Sequence, residues 1–435
     1  MKFSVTATGD VLLTKGYQEG GYDGIEEVKN YLNRGDAIIG NLETCVTDYD
    51  TYCSAYCGGT WLSTTPRVLK QSLNFGFNMM GFSNNHTMDF GPDGLLETIE
   101  HVNKHDIALA GVGKTLAEAA EPVYRTFKGG RVAFIALTSS FTDAARAGYA
   151  SKFLKGRPGL NPLRFNQYFT VTQEHFDVLK EITKNTYMNG QRDKARANGF
   201  EPQLPEGTLD FGGISIKLSQ NGKEEKINHP HEEDMERTIQ SIKDARYMAD
   251  YVFVMVHSHQ IRRDEMFEAD HFLEEFSRKC IDAGADAIFG GGTHEFKGIE
   301  IYNGKPIFYS LGDFAFQVPF ADRLPEDIRI NGNYGDISDA QVLKTHSKNL
   351  SFGLWIQPQT FKSVIPYLEF EDGKLVSAEL QPIELGFNKP KHQKGVPYIA
   401  TKEQAKDIYD ILTRLSAEYG TTLTLNKDNT IKIEL

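Results

Sequence analysis

Gly81-Phe82-Ser83-Asn84-Asn85-His86-Thr87-Met88-Asp89-Phe90-Gly91 ends an apolar, strand-like run (Phe75 to Phe82) in two amides, an imidazole and a carboxylate. Burying such groups without partners is costly, so a strand that stops in them is building a site. Four other short clusters sit at the ends of apolar runs in the same way: Gly9-Asp10, Gly40-Asn41-Leu42-Glu43, His257-Ser258-His259 and Thr293-His294. Five repeats of one architectural event predict a single site assembled at the edge of a sheet.

The chain around these clusters has 435 residues, 40% of them hydrophobic, enough for one large α/β domain with insertions or for two domains. Lys+Arg 47 against Asp+Glu 59 leaves a net charge of −12 with no dense basic run, which argues against nucleic acid as a partner. No stretch approaches the roughly 20 apolar residues of a membrane span. The N-terminus enters a strand pattern directly, so a cytoplasmic protein is expected, with an exported or cell-envelope protein as the alternative if a leader has been removed. Cys45, Cys53 and Cys57 fall close together and Cys280 lies far off; a disulfide or zinc half-site at Cys53/Cys57 is conceivable, but free thiols fit a cytoplasmic chain better.

Strand and helix patterns alternate over the first ~140 residues, which predicts a layered α/β core. Helices are expected at Ile25 to Leu32, Pro66 to Leu73 and Gly94 to Lys104, and strands at Phe3 to Thr8, Ala37 to Gly40 and Phe77 to Phe82. Regular patterning fails over 150–234, which reads as an insertion or cap. It resumes with a helix at Met235 to Ala249, a strand at Tyr251 to Val256, a helix at His271 to Ala283 and a hairpin turned at Asn303-Gly304. Residues 351–435 read as a β-rich segment plus a helix that completes a single domain spanning 1–435.

Each cluster suggests chemistry. Asp10 taken alone is a weak signal, since an Asp after Gly is more often a turn former or helix cap. Glu43 ends a strand with Asn41 on the same face and needs a partner such as a cation. Asn85 and His86 are adjacent and point apart, so one can bind metal while the other handles a proton. Asp89 is placed to orient His86 through a carboxylate–imidazole hydrogen bond. His257 and His259 share one face of a strand end, where two imidazoles can converge on a metal. His294 follows three glycines, where backbone can approach another element closely. The mixture of Asp, Glu, Asn and His suits one or two divalent ions such as Mn²⁺, Fe²⁺ or Zn²⁺. Asn41 and Asn84 are candidate substrate contacts, and Arg157 and Arg164 could bind an anionic small molecule or polymer, although they also fit ordinary surface arginines.

As a set these segments resemble the bacterial capsule-synthesis protein CapA family, also called poly-γ-glutamate biosynthesis proteins, within the calcineurin-like metallophosphatase superfamily. The likeness rests on Gly9-Asp10-Val11, Asp36 to Thr44, Ser83 to Gly91, Gly111-Val112-Gly113 with Ala117 to Pro122, Asp282 to Ala287, and Gly298 to Phe314. It implies a four-layer α/β/β/α sandwich with a two-metal site at strand ends. Asp10 then matches a ligand of one metal, Glu43 the bridging carboxylate, Asn85 a ligand of the second metal, His86 the proton donor, and His257 and His294 later ligands. Two departures stand out: Leu12 and Gly292 occupy positions where the superfamily carries histidines. His259, water, or a carboxylate such as Asp264 or Glu295 could compensate. The resemblance implies a metal-dependent hydrolase of phosphoesters or γ-glutamyl-type amides; the alternative is a non-catalytic capsule or polymer assembly protein with a degenerate metal site.

Overall fold

Alternation along the first strand brings two sheets together. The computed structural model describes residues 1–321 and 323–435. In the strand Lys2–Leu12, Phe3, Val5 and Ala7 point into one core, which they share with Val132, Phe134 and Ala136 of the strand Gly130–Thr138. Tyr251, Phe253 and Met255 of the strand Tyr251–His257 join the same core. The intervening Val252, Val254 and Val256 face the opposite way, into a separate cluster beneath helices. This period of two is what buries both faces of a central strand. Phe3 stacks on Tyr251 with ring centroids 4.3 Å apart, pinning sheet to sheet.

The first sheet runs in the order Leu423–Leu425, Ile431–Ile433, Lys374–Glu384, Lys362–Glu371, Lys2–Leu12, Ala37–Leu42, Met79–Gly81, Ala108–Ala110. The second runs Ile299–Tyr302, Lys305–Phe308, Ala287–Gly291, Tyr251–His257, Gly130–Thr138, Val123–Phe127. Helices Ile25–Leu32, Pro66–Leu73 and Gly91–Asn103 cover the outer face of the first sheet through Val28, Leu32, Val68, Leu69, Leu95 and Val102. Helices Glu232–Met248 and His271–Ala283 cover the second through Ile242, Ala245, Phe272, Phe276 and Cys280. The result is the expected α/β/β/α sandwich.

The helix boundaries follow local chemistry. Pro66 opens its helix, where a missing N–H costs nothing, and Asp270 caps the helix His271–Ala283 by accepting from the Phe272 N–H at 3.3 Å. Thr401 and Gln404 form a reciprocal capping box at the start of Lys402–Ser416. That helix sends Ala405, Ile408 and Leu412 into the core between the sheets, so the 351–435 segment adds strands and a helix to the same body.

Residues 150–234 build their own four-stranded sheet, ordered Thr208–Phe211, Ile214–Leu218, Phe165–Val171, Glu225–Pro230, with helices Gln173–Thr186 and Gly190–Ala197. All four cysteines are free thiols, Cys45 and Cys280 buried and Cys53 exposed. Among the described residues no helix is long and apolar enough to cross a membrane.

Parallel register places the site. Asp10 pairs with Asn41, Asn41 with Gly81, and His257 with Gly291, so the polar clusters stand side by side at the carboxyl ends of neighbouring strands. The strand Asp313–Phe316 runs parallel to the first strand with Asp313 opposite Asp10. Gly9 permits this approach: a Cβ there would lie 1.7 Å from the Gly312 carbonyl oxygen, whose partner is the Asp10 N–H at 3.1 Å.

Candidate metal centre

Glu43 is fully buried, and neither of its carboxylate oxygens has a hydrogen-bond partner. Burial first, then the charges of Asp10, Asp313 and Asp89, push its pKa well above the ordinary carboxylate range. Around it the strand ends deliver three histidines. His257 Nε2 lies 3.7 Å from Glu43 Oε1, 2.7 Å from Asn85 Oδ1 and 3.1 Å from His259 Nε2. The ring of His257 is steered from behind, where Nδ1 faces Asp10 at 3.4 Å and the Asn41 amide at 3.3 Å. His294 sits in left-handed backbone (φ 59°), and its Nδ1 meets Asp313 at 3.0 Å. Burial lowers the pKa of both His257 and His259; in His294 burial acts the same way, but Asp313 outweighs it and the pKa rises.

Two sets of potential ligands result, Glu43/His257/His259 and Glu43/His294/Asp313, each with its ligand atoms within 4.8 Å of one another. Glu43 belongs to both. The donor set of imidazole and carboxylate, centred on an orphaned buried acid, fits a borderline divalent cation.

The opposite wall is already satisfied. His86 is buried and its Nδ1 lies 2.7 Å from Asp89 Oδ2, which leaves Nε2 for the cavity. Asp89 also accepts from the backbone N–H of Gly58 at 2.9 Å and of Leu62 at 2.8 Å. Burial raises the Asp89 pKa, with His86 and the two amides pulling it back. His86 and His294 line a chamber of about 280 Å³ walled by Phe316, Leu354 and Trp355.

The family model of the bacterial capsule synthesis protein PGA_cap matches residues 4–318. The chain belongs to that family. It is 29% identical, over 97% of its length, to the uncharacterized protein y4uA of Sinorhizobium fredii, of which it covers 91%. It is 25% identical to the PGA biosynthesis protein CapA of Bacillus subtilis over 72% of this chain and 63% of that one. A solved structure of a hypothetical protein from Thermus thermophilus aligns over 88% of this chain and 99% of its own, at 12% identity and a TM-score of 0.39. That superposition is too remote to bear on the site.

In this PGA_cap chain, Asp10, Glu43, Asn85, His86, Asp89, His257, His259 and His294 all converge at one place. Asp10, however, has its oxygens taken by the Asn41 amide (2.7 Å) and the Gly292 N–H (2.7 Å), so it grips His257 from behind and stands outside both ligand sets. Asn41 and Asn84, expected to face substrate, do not. Both are buried, Asn84 donating to Asn41 Oδ1 and the Leu42 carbonyl and accepting from the His86 N–H, so their polar groups hold the strand ends together.

Of the two arginines, Arg164 is committed within the protein, whereas Arg157 keeps an exposed guanidinium. Arg164 forks onto buried Asp234 at 2.8 and 2.9 Å and reaches Glu233, while the Arg157 Nε donates to the Arg146 carbonyl. The further carboxylate in a ligand set is Asp313, and neither Asp264 nor Glu295 enters one. One signal points to it: Gly312-Asp313 repeats Gly9-Asp10 on an adjacent parallel strand. Leu12 is plain core. Gly292 has φ +118°, and a Cβ there would lie 2.6 Å from the Ser258 carbonyl oxygen, so no side chain fits where the superfamily pattern has a histidine.

Proposed function

We propose that this PGA_cap chain is a metal-dependent hydrolase acting on a phosphoester or a γ-glutamyl-type amide in capsule or poly-γ-glutamate metabolism. The observation that carries the reading is Glu43, a fully buried carboxylate with no hydrogen-bond partner, ringed by His257, His259 and His294. A structural role has no use for such a group, because an unpaired buried acid costs stability. Glu43, His257 and His259 would hold one ion and Glu43, His294 and Asp313 a second, with Asn85 beside the first.

A divalent ion bound there supplies Lewis acidity toward the attacked oxygen and lowers the pKa of water. The chain's own residues do the rest. His86 Nε2 donates the proton that the leaving group needs, with Asp89 fixing the tautomer at Nδ1. Asp10 and Asn41 hold the His257 ring so that Nε2 points inward. Phe316, Leu354 and Trp355 give the chamber above an apolar wall.

The test combines metal content with turnover. Purified protein is expected to carry stoichiometric Mn, Fe or Zn, and to hydrolyse a chromogenic phosphodiester or a γ-glutamyl anilide with a rate that falls about 10²-fold or more in His86→Ala. Protein that contains no such metal, gains no melting temperature on its addition and turns over neither substrate sinks the reading and leaves a polymer-assembly role. Equal rates in both proteins mean a contaminant.

A further inference from the structure

Among the described residues, the chamber over His86 and His294 is lined by no lysine or arginine, and besides those two histidines its one titratable lining group is His346. Beyond a bound metal ion, the chamber wall offers an anionic substrate no ammonium or guanidinium group. The countercharge lies next door. A second cavity, of about 520 Å³, shares Pro319, Leu343 and Ser347 with the chamber and is lined by Lys15, Lys344 and Lys391.

These three cations are left over in an acidic protein. The chain has 59 acidic residues against 47 lysines and arginines, yet among the described residues none of the three ammonium groups forms an ion pair. The cavity's one described acid, Asp339, is engaged by Arg329. Lys15 Nζ is fixed by the Lys391 carbonyl at 2.9 Å and sits 4.0 Å from the centre of the Phe320 ring, and Lys391 Nζ lies 4.9 Å from the same ring. Two like charges over one aromatic face repel each other, and the ring answers only part of that cost. Burial, with the Lys391 charge second, pushes the Lys15 ammonium down to about 8. A bound anion relieves both effects.

We propose that this cavity is an anion subsite, in which Lys15, Lys344 and Lys391 receive a carboxylate or phosphate at one end of the substrate while the bond to be broken lies beside His86. The link to bond cleavage rests on the hydrolase reading; the binding of the anion does not. The three lysines come from distant parts of the chain: the turn after the first strand, the helix Asp339–His346 and the loop before Val396. Their convergence on one cavity is a product of the fold.

Calorimetric titration of inorganic phosphate and of glutarate into the full chain tests the assignment. One of the two is expected to bind wild type saturably, and which one binds tells phosphate from carboxylate recognition. The Kd should rise about tenfold or more in the double variant Lys15→Gln/Lys391→Gln and less in Lys344→Gln. Lys344 is exposed, so its variant reports even if the double variant does not fold. No binding of either anion to wild type, or an unchanged Kd in the folded variants, overturns the proposal, since the anion would then sit at the histidines. If the lysines bind the anion but nothing is hydrolysed, the hydrolase reading alone fails. If hydrolysis is seen while the variants keep the wild-type Kd, the subsite alone fails.

Discussion

Two buried carboxylates less than fifty residues apart in sequence face each other across the centre in opposite conditions. Asp89 accepts from His86 and from two backbone amides, so its wall is complete without help. Glu43, equally buried, accepts from nothing. The Asn84–Asp89 turn is therefore machinery that folds in finished form, whereas the wall of Glu43, His257, His259, His294 and Asp313 is shaped to be completed from outside. A self-satisfied wall contributes stability; an unsatisfied one stores a binding site.

The comparison breaks first at Asp89. Asp89→Ala strands the buried N–H of Leu62, unpairs the half-buried N–H of Gly58 and frees the His86 ring, so a loss of about 2–4 kcal/mol is expected in urea denaturation. The loss should be the same with and without divalent ions. A near-neutral Asp89→Ala means that this wall is not what holds the turn in place.

Glu43→Gln should behave in the opposite way. Replacing an unpaired buried carboxyl with an amide should leave the metal-free protein as stable as wild type or slightly more so. The gain on adding MnCl₂ or ZnCl₂, about 2.7 kcal/mol at a hundredfold excess over Kd, should disappear. Thermal melting of both proteins with and without each salt decides it; an equal gain in the variant places the cation away from Glu43.

Gly292→Ala probes how tightly the unfinished wall is built. The residue combines positive φ with a Cβ position 2.6 Å from the Ser258 carbonyl, between His257 and His259. A cost of about 1–3 kcal/mol is expected, together with weaker divalent binding as Ser258 is displaced. Full stability and unchanged metal affinity would show that the loop has room to spare.

Much of this is readable from sequence because it is local. A strand end needs only alternation and a stop, and parallel register then carries Asp10 and Asn41 to one edge of the first sheet and His257 to an edge of the second. Asp313 escapes because a lone Gly-Asp after a hairpin looks like a turn, and only its register against Asp10 gives it meaning. Arg164 misleads for the same reason: its partner Asp234 lies 70 residues away, and no local pattern joins them. The segment 317–361 has no periodicity to read. Its aromatic residues and Lys344 acquire a role only when Pro319, Leu343 and Trp355 close over the histidines.

The support beneath the unfinished wall can be tested through pH. Lys297 is buried, pairs with no carboxylate among the described residues and donates to the carbonyls of Gln260 (3.3 Å) and Glu268 (3.1 Å), bracing the loop that carries His259. Burial pushes its pKa down from 10.5 to about 7. A base with a lower pKa folded than unfolded binds fewer protons in the native state between those values. Unfolding then takes up a proton, so stability rises with pH from about 7 toward 10. The slope contributed by one such group is at most about 1.4 kcal/mol per pH unit. Lys297→Met removes the titrating group and keeps most of the volume, so the variant's stability should lose that rise while wild type shows it. Parallel profiles for the two proteins between pH 7 and 9 would mean that the ammonium is stabilised where it lies, and that the loop carrying His259 is braced by a charged lysine.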